Sequence, residues 1–473
     1  MEDKYIKNRW ILLFVVVMAP LMATIDSSIV NVALPTMAGN LKVDIEAITW
    51  VVTIYLIVIS SIVLIFGRIG DMISKSIVFN IGFIIFSIGS LLCGLSHSFS
   101  FLIFSRIIQG IGAAATMASN QGIIVQIFPQ NERGRALGIN ATFVAFGTLI
   151  GPPLGGMILS VTSWEYIFLI NVPIGIIASI LTFKLMPRFK NTKSEKMDIK
   201  GSILFPVAIM LLFYSLSMLE QLGSNLIIIL LGISISVLLI IVFVLIERKI
   251  AKPLLDVNIF KNSLYSLSVF CSFLSYVALS CINIIQPFYL QDVLKLSAGK
   301  TGIFMMIYPL VLAIAAPLSG YLSDKIGSEF LTFLGLCLTA AGLLFMSFLK
   351  ENSSLYIVAI FISFLGIGNG LFQSPNNSLV MSTVPRDKLG IAGSINALIR
   401  NIGLTFGIIL STTILYNSMS MKIGYNVFDY VEGRDDVFVY GMHIVYLSFS
   451  MICLIGAVLT AIRLINNRKN NKS

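Results

Sequence analysis

The chain has little charge and almost no histidine. Of its 473 residues only 11% are Asp, Glu, Lys or Arg, two are histidine and five are cysteine. A soluble chain of this length carries about a quarter of its residues as charges to keep its surface hydrated, so an ordinary soluble multidomain protein is excluded. His97 and His443 both stand near the ends of apolar runs, which argues against a histidine proton relay and against a metal centre. Cys93, Cys271, Cys281, Cys337 and Cys453 stand singly in apolar segments without a CxxC pair. They read as small core residues, with no disulfide or metal role. A phosphate-binding loop is missing too. SAGKTG at 297–302 ends like one, but Leu294 stands where its first glycine is required, so nucleotide binding is rejected. Energy has to come from an ion gradient, and no cofactor is expected.

What the chain does have is apolar length. Hydrophobic residues make up 57% and the mean hydropathy is +0.95, which fits an all-α polytopic membrane protein. Runs long enough to cross a bilayer fall near 11–34, 47–66, 76–96, 99–118, 136–160, 164–185, 201–219 and 225–246. A second set falls near 264–290, 301–322, 329–349, 355–376, 390–416 and 440–464, giving fourteen spans. The first run is too long for a signal h-region and lacks a cleavage site, so it reads as a retained helix.

Orientation follows from counting basic residues. With the N-terminus inside, cytoplasmic segments hold 24 Lys and Arg, and the outer loops hold six: Lys42, Lys295, Lys300, Lys350, Lys422 and Arg434. That asymmetry puts both termini in the cytoplasm. It also explains the net charge of +10 without nucleic acid. The basic links at 184–200 and 247–262 divide the chain into a six-helix bundle (1–190), two inserted helices (191–262) and a second six-helix bundle (263–473). The outer segment Asn417–Val437 is long and acidic and reads as a solvated loop, with a small extracellular hairpin as the alternative.

The two groups of six repeat each other. Gly67, Gly70 and Asp71 match Gly320, Ser323 and Asp324 at an offset of 253. Pro129, Gly134, Gly147 and Gly151 match Pro385, Gly390, Gly403 and Gly407 at an offset of 256. A duplicated helical unit is the signature of a transporter with its site between the halves.

Within this frame one carboxylate is out of place. Asp26 lies deep in the first span, where an acid costs about 2.5–3.5 kcal/mol on insertion scales. It has to be protonated, paired, or wet; a static hydrogen-bonded packing role is the competing reading. Arg106, inside span four, lies at matching depth by residue count: roughly 12 Å and 10 Å from the outer ends of their spans. A neighbouring guanidinium favours the ionised acid and burial disfavours it, so a conformational change that alters the balance would load or release a proton.

Five motifs carry a family resemblance. They are MATIDSSIVNVALP (Asp26, Asn31, Ala33, Leu34, Pro35), the turn motif after span two and its copy, LIFSRIIQGIGAAA around Arg106, a glycine series in span five, and WEYIFLINVPIG in span six. The turn motif keeps Gly67, Asp71 and Lys75, with Met72 and Ser74 departing from the pattern. Its copy keeps Gly320, Asp324, Lys325 and Gly327. The series Gly138, Gly147, Gly151, Pro152, Gly155 and Gly156 is the most specific of the five. In span six Trp164, Phe168, Asn171, Pro173 and Gly175 fit, and Glu165 replaces the usual arginine. Over nearly its whole length the chain resembles the fourteen-spanner drug:proton antiporter branch of the major facilitator superfamily.

The resemblance implies a non-enzymatic, proton-coupled multidrug efflux antiporter in the bacterial plasma membrane, acting as a monomer on lipophilic, cationic drugs or antiseptics. The alternative cargo is a lipid, peptide or metabolite. It implies proton coupling at Asp26 and Arg106, an antiporter motif in the span-five glycines, and a cytoplasmic gate in the turn motifs. Candidate polar groups of the cavity are Asn31, Gln109, Asn120, Gln121, Asn283, Gln286, Asn369, Gln373, Asn376 and Arg400.

Overall fold

A computed structural model describes residues 9–129, 132–186, 197–220, 226–250, 253–384 and 389–470. Among them there is no strand, and fourteen helices are long and apolar enough to cross a membrane. They are α1 (Arg9–Leu41), α2 (Ile45–Met72), α3 (Lys75–Gly94), α4 (Phe99–Ile127), α5 (Arg133–Val161), α6 (Tyr166–Leu185), α7 (Ile199–Ser217) and α8 (Leu226–Glu247). Then follow α9 (Ser263–Phe288), α10 (Ala298–Ile326), α11 (Ser328–Met346), α12 (Leu355–Ser382), α13 (Leu389–Ile423) and α14 (Asp435–Asn470).

Polar side chains start several of these helices by accepting orphan N–H groups. Asp44 accepts from Ala47 N at 2.7 Å, Asp198 from Gly201 N at 3.0 Å, and Asn262 from Leu264 N at 3.0 Å. Gly327 ends α10 with φ at 92°, a left-handed backbone that disfavours a side chain. With fourteen crossings among the described residues, Arg9 and Asn470 fall at the same end of the bundle, and the α1–α2 turn lies at the far end.

Helices α1–α6 form one bundle and α9–α14 repeat it. Where α3 packs on α4, α11 packs on α12; where α1 packs on α5, α9 packs on α13. The repeat holds at individual crossings. A Cβ added at Gly110 would meet Val58 and the Tyr55 carbonyl; one at Gly366 would meet Val311 and the Tyr308 carbonyl. Likewise Gly151 faces Ser28 and the Ile25 carbonyl, and Gly407 faces Ser280 and the Val277 carbonyl. This register sets Tyr308 at the place of Tyr55. It also sets Ala278 at the place of Asp26, and Ile362 at the place of Arg106. The scaffold is duplicated and the charges are not.

Two seams join the bundles, α5 on α10 and α2 on α13. At the far end the fit is tight. A Cβ on Gly302 would lie 2.3 Å from the Pro152 carbonyl, one on Gly156 would lie 2.7 Å from the Ala298 carbonyl, and Gln291 Nε2 donates to Val32 O at 3.0 Å. Toward the terminus end the packing relaxes: Gly138 has nothing within 4 Å, and Gly320 meets only Ser374 Oγ at 3.0 Å. The inserted helices α7 and α8 pair with each other, and α7 lies against both α2 and α13. Most of α8 faces outward with exposed Ile227, Leu230, Leu231, Leu238 and Ile241, as lipid contact requires. Its last residue, Glu247, is buried and accepts from Leu255 N at 3.3 Å, which ties the following link back to the pair.

Two expectations change here. The outer segment is a shorter and better anchored loop than expected: 417–423 continue α13, 435–437 begin α14, and the irregular, mostly exposed stretch 424–434 is pinned at Val427. Helix α13 runs on to Ile423, Val427 is buried, and Val427 N donates to Ser420 Oγ at 2.9 Å. Val427, with Tyr430 and Val431 packed on the same core, supplies apolar surface among the acidic residues. The matching depth of Asp26 and Arg106 also had a faulty premise. Helix α1 does not end near residue 34 but continues through Pro35 to Leu41.

Candidate coupling site

Asp26 and Arg106 meet. Arg106 Nη1 donates to Asp26 Oδ2 at 2.7 Å, and both side chains are wholly buried. The other carboxylate oxygen, Oδ1, accepts from Gln109 Nε2 at 2.8 Å and from Asn171 Nδ2 at 3.0 Å. Three donors from two helices therefore converge on one acid, and hydrogen bonds to a charged group are the strong ones.

The guanidinium is held as firmly. Its Nε donates to Val51 O at 2.8 Å, Nη1 also reaches Gln109 Oε1 at 2.5 Å, and the Tyr55 ring lies 4.2 Å beneath it. Phe168 stands 5.5 Å away on another side, and Gln109 is anchored by a 2.8 Å bond to Ser90 Oγ. Local sequence makes this possible. Gly89 and Gly112 bring α3 and α4 so close that an added Cβ would lie 2.5 Å from Gln109 N or 2.2 Å from Phe86 N. Chemically the site can hold one negative charge or one proton, and the Cys93 thiol lies against it, its Sγ 3.8 Å from Gln109 Oε1. In this conformation no water reaches it.

Other candidates separate by environment. Gln109, expected in the cavity, belongs to the Asp26 cluster. Asn120 is taken up in packing, its Nδ2 donating to Val16 O at 3.0 Å. Asn376 is too, donating to Ser268 O at 3.0 Å and Ser272 Oγ at 2.7 Å. These two amides fasten helices where the sequence reading had them lining a cavity.

Asn31 Oδ1, Gln286 Nε2 and both polar atoms of Asn369 are buried without a partner, while Tyr446 donates to Gln286 Oε1 at 3.2 Å. Asn283, Gln121, Gln373 and Arg400 are half-buried. Gln121 crosses from α4 to α13, where a Cβ on Gly393 would strike its Oε1.

The glycine series divides as well. Gly147, Gly151 and Gly155 admit α1, with an added Cβ 2.1 Å from Thr24 Oγ1, 1.8 Å from Ser28 Oγ and 2.7 Å from Ile29 Cγ1, whereas Gly156 admits α10 and Gly138 touches nothing. Pro152 is buried between them and its carbonyl faces Gly302.

At the turn motif Asp71 pairs with Lys75, whose stem runs between Gly70 and Gly122. Gly67 has open space around it, so close helix approach there is not its role. In the copy, Lys325 lies 4.5 Å over the Tyr321 ring. The Asp324 side chain and Pro385 lie outside the described residues. Among the described residues no group of His, Cys, Asp and Glu could hold a metal, and all five cysteines are free.

Asn171, Tyr55, Phe168 and Ser90 complete the site. Asn171 and Phe168 were visible only as parts of the span-six pattern, and nothing in the sequence marked Tyr55 or Ser90.

Fourteen membrane-length helices in a duplicated scaffold define the architecture of a membrane transporter. The profile of the Major Facilitator Superfamily matches residues 16–259 and 268–473, and the chain belongs to that superfamily. It is similar to the riboflavin transporter RibZ of Clostridioides difficile (strain 630), with 34% identity over 468 residues, 99% of each chain. It is also similar to the multidrug transporter protein MdtP of Bacillus subtilis (strain 168), with 28% identity over 411 residues, 85% of this chain and 74% of that one. Among solved structures, a bacterial homolog of the human lysosomal transporter Spinster superposes with a TM-score of 0.65 at 16% identity, covering 96% of each chain. That likeness concerns the fold alone.

Proposed function

We propose that this transporter is a proton-coupled antiporter that exports lipophilic, cationic drugs or antiseptics across the bacterial plasma membrane by alternating access. The observation that carries the reading is the Asp26 cluster, a buried acid met by three donors that a helix movement would withdraw.

The basic-residue asymmetry assigns the terminus end to the cytoplasm. Residues 1–190 and 263–473 rock as two bodies, with 191–262 as the insert between them. In the cycle, opening of the far end admits a proton to Asp26 and loosens its bond to Arg106. The far end then closes, cargo enters from the cytoplasm, and the proton leaves. Asp71, Lys75, Asp324 and Lys325, with Gly67, Gly320 and Gly327, form the cytoplasmic gate. Asn31, Asn283, Gln286, Asn369, Gln373 and Arg400 supply polar contacts in the cavity. Relatives named for multidrug transport support the cargo class.

Substrate-driven proton movement in vesicles tests this. Wild type should couple dye flux to proton counterflow, and Asp26→Asn should abolish the coupling. Coupling that survives in Asp26→Asn removes the acid from the mechanism. The competing cargo is a metabolite, and the likeness to a riboflavin transporter selects riboflavin as its probe. Flux of riboflavin without flux of any cationic dye would overturn the drug assignment.

A further inference from the structure

The second bundle holds a cation that its surroundings do not neutralise. Arg400 lies within the apolar length of α13, half-buried. It is hydrogen-bonded or paired to none of the described residues. Tyr276 of α9 and Tyr308 of α10 stand within its electrostatic reach. The Tyr308 hydroxyl is buried and has no partner. Phe273, which Gly403 meets together with Tyr276, pairs with Phe406 at a centroid distance of 5.9 Å. Gly403 brings α13 onto α9, so that an added Cβ would lie 3.0 Å from Tyr276 Cβ.

Depth follows from the internal repeat. Tyr308 occupies the place that Tyr55 holds in the first bundle, and Tyr55 lies under Arg106 beside Asp26. On α13 the level of the acid pair falls at Gly407, which faces Val277 and Ser280 beside Ala278, so Arg400, seven residues earlier, lies roughly 10 Å from that level toward the terminus end of the opposite bundle. The two sites differ in balance. Arg106 has Asp26 against it, whereas the counterparts of Asp26 and Arg106 here are Ala278 and Ile362. A guanidinium left unpaired in hydrocarbon is costly unless a ligand or water completes it. Its planar fork matches a carboxylate bidentately, and two phenol hydroxyls beside it add donors of the same polarity.

We propose that Arg400, with the hydroxyls of Tyr276 and Tyr308, forms a subsite for a carboxylate on the transported molecule. The inference rests on the export reading and narrows it: the preferred cargo is amphoteric, a lipophilic cation that also bears an anionic group. The aromatic rings take the apolar body and Arg400 takes the acid.

A matched pair of dyes separates the possibilities. Rhodamine B carries a xanthylium cation and a free carboxylate, and its ethyl ester keeps the cation and loses the acid. In proteoliposomes of the full-length protein, the acid should half-saturate transport at about tenfold lower concentration than the ester, the worth of one buried charge-assisted contact. Arg400→Gln should erase that preference by weakening the acid alone, Arg400→Lys should retain part of it, and Tyr308→Phe should weaken the acid in the same sense. Equal loss for both dyes, or no change for either, overturns the subsite while leaving drug export standing. If neither dye is transported, the export reading fails. Fluorescence polarisation of the same pair on purified protein then decides the subsite: selective binding of the acid that Arg400→Gln abolishes supports it, and its absence overturns it.

Discussion

At the scale of single residues, a buried ion pair stabilises mainly by not being broken. Removing one member of such a pair leaves an uncompensated charge and costs about 3–5 kcal/mol. Arg106→Ala should therefore lower the thermal stability of the detergent-purified protein by an amount of that order, because Asp26 would keep only Gln109 and Asn171. Neutralising both members, Asp26→Asn with Arg106→Gln, should recover most of that stability while transport stays lost. A double variant as unstable as Arg106→Ala would mean that shape at this site matters more than charge. Asp26 and Arg106 were legible in the sequence because charges in apolar runs are rare and need partners. The amides were not, since an amide is cheap enough to sit on any helix face. Gln109 and Asn171 thus became donors to Asp26, whereas Asn120 and Asn376 turned out to be fasteners.

At the scale of helices, glycine spacing announces close packing without saying which glycine makes it. The series beginning at Gly138 reads as one smooth face, yet its first member is open and its last faces the other bundle. The tightest backbone approaches include the crossing of α3 and α4, at Gly89 and Gly112, which a pattern centred on α5 could not reveal. Gly112→Ala would push a methyl against the Phe86 backbone and should cost about 1–3 kcal/mol through overpacking. Gly138→Ala meets nothing and should be neutral or stabilising by about 0.5–1 kcal/mol, as expected for glycine in a helix interior. Thermal unfolding of the two variants checks the contrast, and equal shifts would contradict these crossings. Helix ends were the least legible part, because Pro35 looks like a stop and instead lies half-buried inside α1.

At the scale of the whole molecule, the far end is closed partly by a segment that composition assigned to solvent. Asp429, between α13 and α14, reaches across to the first bundle, against the Asp44 side chain and the Ile45 N–H. Burial, and after it the Asp44 charge, raise its proton affinity above the ordinary aspartate range, while N–H groups of Tyr430 and Ile45 oppose the rise. Asp292 and Lys295 of the second bundle face the same cluster. Opening the far end would part Asp429, already exposed on one side, from Asp44 and complete its hydration, returning it to an ordinary value of about 3.9. The closed arrangement therefore binds the proton more tightly. Its extra stability is fully present below the ordinary value and fades as pH rises through the raised one.

Alkalinisation across that window should thus increase the fraction of molecules open at the far end. Spin labels at exposed Asn40 and Asn426, one on each side of the closure, should report a growing long-distance population. Asp429→Asn, which mimics the protonated acid, should hold the short distance throughout. If the pH response persists unchanged in Asp429→Asn, closure is governed by the apolar seam of α5 and α10 alone, and the acidic segment plays no part in setting which face of the transporter is open.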